Sequence, residues 1–369
     1  QLELDPPLDV FMGGGRRYYD SRREDGRDLL EEHKDKFTII GSRDELNQQK
    51  SFWESNPPSR LKPLVGLFAD DNMMYEVDRK EAPQSTRQPS IQEMTTAAVS
   101  RLQATGRKFC LVVEGSRIDH ALHADDAGAA AYDAIAFDEA FGEVIELVKN
   151  DESVQVFSVA DHSTGGLTVG AQRDWELWYS QDICHQNQSC DAGIGTYPYG
   201  TTDGWHPEVI AAARSSIANM AAKMCCDPEM RASSNRRVAY VKQTLDIDAT
   251  FEEEAAFTAA VARLHDDFEC SDDIHHFTHG KEVGRACTMP TEYTLSRMQE
   301  YAARVKFTTM GHTSVDIHVY AHGTERLKVA GTMENNEVGQ KVIEEVMGMD
   351  LSPITQALQE CDIPAKPET

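Results

Sequence analysis

Asp119 and His123 stand four residues apart in "RIDHALH". On a helix that spacing sets both side chains on one face, where they can hold one ion. A carboxylate oxygen and an imidazole nitrogen, at bonds of about 2.0–2.2 Å, suit zinc. Glu114, just upstream, is a hard oxygen donor better matched to magnesium. Asp161 and His162 form an adjacent pair in "VADHST", and His312 sits in "MGHTS". His120 lies off the face shared by Asp119 and His123 and is read as a residue that supports a ligand. An Asp-x3-His pair taken alone is more often a surface pair. Three such features, each at the end of an apolar run, favour a metal site. The other histidines lack that context. His275, His276 and His279 in "DDIHHFTHG" read as a solvated acidic loop, and His318 and His322 as outward-facing residues of a strand.

The elements that must position these residues are legible around them. "KFCLVVEG" ends on Glu114 and "VQVFSVADH" on Asp161 and His162. Near-continuous apolar runs of this kind are strands buried on both faces. "RVKFTTMGHT" is a further strand leading to His312. In open parallel sheets ligands bind beyond the carboxyl ends of the strands, where all three sets lie. "VFMGGG", "KFTIIGS", "LVGLF" and "DIHVYAHG" read as more strands. "DGRDLLEEHKDK", "HPEVIAAARSSIANMAAKM", "FEEEAAFTAAVARLH" and "ENNEVGQKVIEEVMGM" read as helices. "SIQEMTTAAVSRLQAT" opens on a Ser90 cap with a Glu in its first turn. Phe137, Phe141, Val144 and Val148 form an apolar stripe at helical spacing, read as core packing. Alternating strands and helices predict an α/β fold with a mostly parallel sheet covered on both faces. Residues 1–369 are read as a single domain, with surface excursions at about 170–205 and 225–290.

Charge narrows the function. The 369-residue chain carries a formal net charge of -26, which argues against nucleic acid or anionic membranes as partners. It also repels anionic substrates at long range, so a phosphate site would need local positive charge, for which metal ions are the obvious source. No apolar run approaches the ~18–20 residues of a membrane span. Eight cysteines show no paired CxxC spacing. Cys184 and Cys190 flank the sequon Asn187-Gln188-Ser189, and Cys225 and Cys226 are adjacent. Two readings stay open: buried thiols beside a chance sequon, or a secretory context with glycosylation and disulfides, with Cys184–Cys190 as a pair. The chain opens on Gln1 without a visible signal peptide, as a processed chain or one that begins within a longer protein would.

The stretches "DVFMGGGRRYYD", "LVVEGSRIDHALHADDA", "AFDEAF", "VADHSTGGLTVG" and "TTMGHTSVDIHVYAHG" resemble the alkaline phosphatase family, in the family's order. The resemblance implies a three-layer α/β/α sandwich, a homodimer and hydrolysis of phosphate monoesters through a phosphoserine, with two zinc ions and one magnesium. Asp119, His123 and His312 resemble the ligands of the first zinc, which activates the attacking water and steadies the leaving oxygen. Asp161 and His162 resemble ligands of the second, which holds the serine oxygen. Glu114 resembles the magnesium ligand, and His120 follows the zinc Asp as in the animal branch. "GLFADDNMMYEVDR" resembles the animal calcium segment, but Ala69 stands where its carboxylate is expected, so calcium is not expected. The family's Asp-Ser-Ala nucleophile motif does not occur in residues 1–369. The chain therefore resembles the later, larger part of the enzyme, with little turnover expected from it alone. The alternatives are a phosphodiesterase or sulfatase on the same fold, or a non-catalytic zinc-binding protein. The resemblance implies an extracellular or secretory location and leaves membrane anchoring open.

Overall fold

Val10–Gly13 (β1), Thr38–Ile40 (β2) and Leu64–Leu67 (β3) form a parallel sheet in the order β1-β3-β2. These strands belong to a computed structural model that describes residues 2–4, 7–56, 61–170, 204–264, 282–323, 331–346 and 348–352. The sequon, Cys184, Cys190, His275, His276 and His279 lie outside the described residues. All four residues of β3 are buried, as a central strand requires. Leu64 packs with Ile40, Leu46, Trp53 and Ala97, whereas Val65 and Leu67 pack with Leu29, Leu30 and Phe37. Both faces are thus covered: helices Arg43–Glu54 and Ile91–Gln103 on one, helix Leu29–His33 on the other. This is the expected α/β layering. Each buried Leu or Val contributes roughly 1.5–3 kcal/mol.

The chain divides into two compact units, Gln1–Ala140 with Thr164–Thr313 and Phe141–Ser163 with Ser314–Thr369. Ser90 starts the Ile91–Gln103 helix of the first unit. Its Oγ accepts from Glu93 N at 3.1 Å, and a Glu93 carboxylate oxygen accepts from Ser90 N at 2.9 Å. Glu93 also binds the Arg43 guanidinium, which ties the two helices together. A helical part follows, made of Ile217–Cys226, Ser234–Leu245, Phe251–Val261 and Glu282–Ala303. Its core holds Met220, Met224, Val241, Leu245, Phe257, Leu295 and Met298. Parts of the 225–290 stretch therefore contribute core residues. Cys225 and Cys287 form a disulfide, and Cys226 is disulfide-bonded too. The disulfide reading of the cysteines holds at these positions.

"HPEVIAAARSSIANMAAKM" forms two helices, not one: Pro207–Ala211 and Ile217–Cys226. Two carboxylates make the break, Asp126 buried and Asp78 half-buried. Asp78 accepts from Ser216 N at 2.9 Å, Asp126 accepts from Ile217 N at 2.7 Å, and Ser216 caps Asn219 N. These bonds satisfy N–H groups that a continuous helix would have used internally. Asp133 accepts from Glu76 N at 3.1 Å in the same region. Burial raises its pKa to about 7, although the Glu76 N–H and the Arg117 charge pull the other way. Folding therefore favours the protonated carboxyl. The stability this gives is complete below about 3.8 and is lost as pH rises through about 7. Asp133→Asn is expected to remove the Asp133 share of that dependence, gaining a few kcal/mol on wild type between about pH 5 and about pH 8.5, at ~1.4 kcal/mol per pKa unit. It is expected to leave the shares of Asp125 and Asp126, whose carboxyls burial raises to about 6. Melting curves across that range check it; parallel curves would remove Asp133 as the source.

The second unit pairs Val156–Val159 with Val319–His322 in antiparallel register, Phe157 opposite Ala321. Two expectations are corrected here. Residues 108–115 form no strand, and Phe109 and Val112 are exposed, Val112 at 86%. The Val156–Val159 strand is half-buried to exposed, not buried on both faces. An apolar run records that a segment suits burial between neighbours. The strand itself also needs a ladder partner, and among the described strands none pairs with 108–115. Among the described residues no helix is long and apolar enough to cross a membrane.

Candidate metal centre

Helix Ser116–His123 begins just after Gly115 and carries Asp119, His120 and His123. The helical turn brings Asp119 Oδ2 to 3.3 Å from His123 Nε2, as the four-residue spacing requires. His312 arrives from a distant segment. Val305–Lys306 pairs antiparallel with Thr168–Val169, and the chain then turns to reach His312. That turn is pinned to the glycine loop at 165–166: Gly165 N donates to Gly311 O at 2.9 Å and Thr308 N to Gly165 O at 3.0 Å. Gly165 has φ +78°, and a Cβ there would lie 2.9 Å from Leu122 O and 2.8 Å from the Phe307 ring. Only glycine lets this loop lie against both the ligand helix and the turn.

Three donors result. His123 Nε2 lies 3.1 Å from His312 Nε2, and His312 Nε2 lies 3.8 Å from Asp119 Oδ1. Tetrahedral bonds of about 2.0–2.1 Å place neighbouring ligand atoms about 3.3 Å apart. The residues present fit such an ion. His123 Nδ1 meets Met310 O at 2.5 Å. A carbonyl only accepts, so Nδ1 carries the proton, and in the neutral ring Nε2 keeps its lone pair toward His312 and Asp119. Carbonyl-oriented imidazole of this kind is the usual support of a metal-bound histidine. Asp119, His123 and His312 form a candidate metal site whose side chains are about a third to a half exposed.

Each of the other expected residues has its own surroundings. His120 Nδ1 accepts from Arg117 at 2.9 Å, and the Arg117 guanidinium lies 3.5 Å from the centre of the Tyr75 ring. Burial, then the Arg117 charge, pushes the His120 pKa below its usual value. Glu114 is exposed, and among the described residues no bond ties it to the three donors. Asp161 and His162 belong to the second unit, where their side chains approach at 3.2 Å and Asn335 Nδ2 donates to Asp161 O at 3.3 Å. Two contributors escaped the sequence reading: the Met310 carbonyl, and Thr164, whose Oγ1 donates to Asp119 Oδ1 at 2.6 Å. Backbone atoms leave no sequence signal. Thr164 did leave one, since a glycine pair directly follows it.

Known proteins supply a frame for this geometry. The family profile described as alkaline phosphatase matches residues 3–348. The repressible alkaline phosphatase of Saccharomyces cerevisiae is 26% identical over 96% of this chain and 59% of its own length. The alkaline phosphatase of Schizosaccharomyces pombe is 27% identical over 98% of this chain and 59% of its own. The chain thus spans about three-fifths of these relatives. Among solved structures, the Thermus thermophilus alkaline phosphatase matches with TM-score 0.66 and 21% identity, covering 97% of this chain and 67% of that one. A cold-active alkaline phosphatase from a psychrophilic Shewanella gives TM-score 0.63 and 22% identity, covering 92% and 65%. At these identities the structures speak for the fold.

Proposed function

The chain belongs to the alkaline phosphatase family, and from that premise we propose that it supplies the metal-holding part of an enzyme that hydrolyses phosphate monoesters through a phosphoserine. The convergence of Asp119, His123 and His312, with Met310 O fixing the His123 tautomer, carries the proposal. These three residues would hold one zinc ion. Asp161 and His162 would supply ligands to a second, and Glu114 would serve a magnesium ion. When bound, such ions supply positive charge at the attacking and leaving oxygens and lower the pKa of a hydroxyl or water. In a chain of net charge -26, that charge is what would draw an anionic ester in. The chain's own contribution is preorganisation: a helix face, a pinned turn and a fixed tautomer. The nucleophilic serine is assigned to none of the 369 residues.

A homodimer and a secretory location, with glycosylation at Asn187, complete the reading. The Cys225–Cys287 disulfide supports an oxidising compartment. The test is the product of the complete reading frame, established by sequencing upstream of the Gln1 codon. Its rates on a monoester, a diester and a sulfate ester of p-nitrophenol are compared before and after a chelator. The expected result is preference for the monoester, lost on chelation and restored by zinc. Preference for the diester or sulfate would reassign the substrate. Indifference to the chelator would remove the metals.

A further inference from the structure

We propose that Thr164 is the positioning residue that fixes the Asp119 carboxylate for a divalent metal ion, an inference that rests on reading Asp119, His123 and His312 as ligands of one ion. The Thr164 hydroxyl donates to Asp119 Oδ1 at 2.6 Å, the length of a charge-assisted bond. Thr164 is 4% exposed, so bulk water competes poorly for this contact. The Asp119 side chain is about a third exposed and would otherwise sample several rotamers. The bond occupies Oδ1 and leaves Oδ2 turned to His123 Nε2 at 3.3 Å. A β-branched side chain has a stiff χ1, so threonine aims its hydroxyl better than serine would.

The backbone under Thr164 is equally constrained. Gly165 bonds through both N and O to residues 308–311. The same turn provides His312 and the carbonyl that holds His123. One loop pairing therefore sets the orientation of all three donors. A hydroxyl at this position acts on the ion through Asp119.

The test uses the full 369-residue chain and zinc itself. Zinc affinity is measured by competition with a chelating dye for wild type, Thr164→Val, Thr164→Ser, Thr164→Ala and His312→Ala. The Co(II) absorption spectrum and the melting temperature of the metal-free protein are recorded alongside. Outer hydrogen bonds to metal ligands are worth ~10–100-fold in affinity. Thr164→Val is expected to lose that factor and to alter the Co(II) bands, with the metal-free melting temperature unchanged. Thr164→Ser is expected to keep most of the affinity. Should Thr164→Val fail to fold, the Ser and Ala variants, which share the loss of the methyl group, isolate the hydroxyl: Ser binding tighter than Ala supports the inference, and equal binding overturns it. Thr164→Val binding like wild type while His312→Ala does not would also overturn it, leaving the ligand reading intact. Wild-type affinity in His312→Ala would overturn the ligand reading and the inference with it.

Discussion

His312→Ala is expected to weaken zinc binding by the chain on the order of 10²-fold and to abolish phosphomonoester hydrolysis by the complete protein. Structural zinc binding releases ~10–16 kcal/mol over four ligands, so one ligand accounts for about 3 kcal/mol, or roughly 10²-fold. The catalytic loss is larger, because transition-state charge stabilisation by a metal is worth several kcal/mol. Folding is expected to survive. The His312 side chain is half-exposed, on a two-residue strand, and leaves no cavity when shortened. Zinc content by elemental analysis and turnover of p-nitrophenyl phosphate give the readouts. A variant with full zinc stoichiometry and full turnover would sink the assignment of His312.

Removing the disulfide carries the largest expected effect on stability. Cys225 and Cys287 are fully buried, with Cα atoms 6.1 Å apart, 62 residues apart in sequence. Closing a loop of that length restricts the unfolded chain by about 4 kcal/mol in the chain-entropy account. The link joins helix Ile217–Cys226 to helix Glu282–Ala303, which together hold Met220, Met224, Leu295 and Met298. The double variant Cys225→Ala with Cys287→Ala avoids leaving a lone buried thiol. Its melting temperature is expected to fall by on the order of 10 °C relative to wild type. A variant that melts with wild type would show that the helices hold without the cross-link.

Local chemistry made much of this readable. The β1, β2 and β3 runs were legible because each is short, apolar and bounded by turn residues. Ser90 was legible because its cap and first-turn Glu are contiguous in sequence. The Asp119–His123 pair follows from helical spacing alone, and His312 from a glycine turn ending an apolar run. What failed needed partners. "FCLVV" has the composition of a buried strand, yet the ladder that makes a strand lies elsewhere in the chain. Helix Arg43–Glu54 went unread although Ser42 and Glu45 carry a capping signal, because its interior is mostly polar. Helix Glu282–Ala303 was hidden by Pro290, a residue that argues against helix interiors. The pairing of Cys225 with Cys287 is a fact of tertiary packing, and neighbouring residues record nothing of it.

The turn that delivers His312 also bears on how the chain folds. His123 and His312 are 189 positions apart in sequence, yet their ring nitrogens meet. Contacts of such separation form late, because loop-closure entropy must be met before they reward the chain. An ion held there would find no complete site in the early collapsed states. It would act after the transition state, slowing unfolding and leaving the rate of folding nearly unchanged. Metal loading in this molecule would then act as a kinetic lock on a finished structure, set only when the Gly165 loop, the 308–311 turn and the ligand helix have all come together.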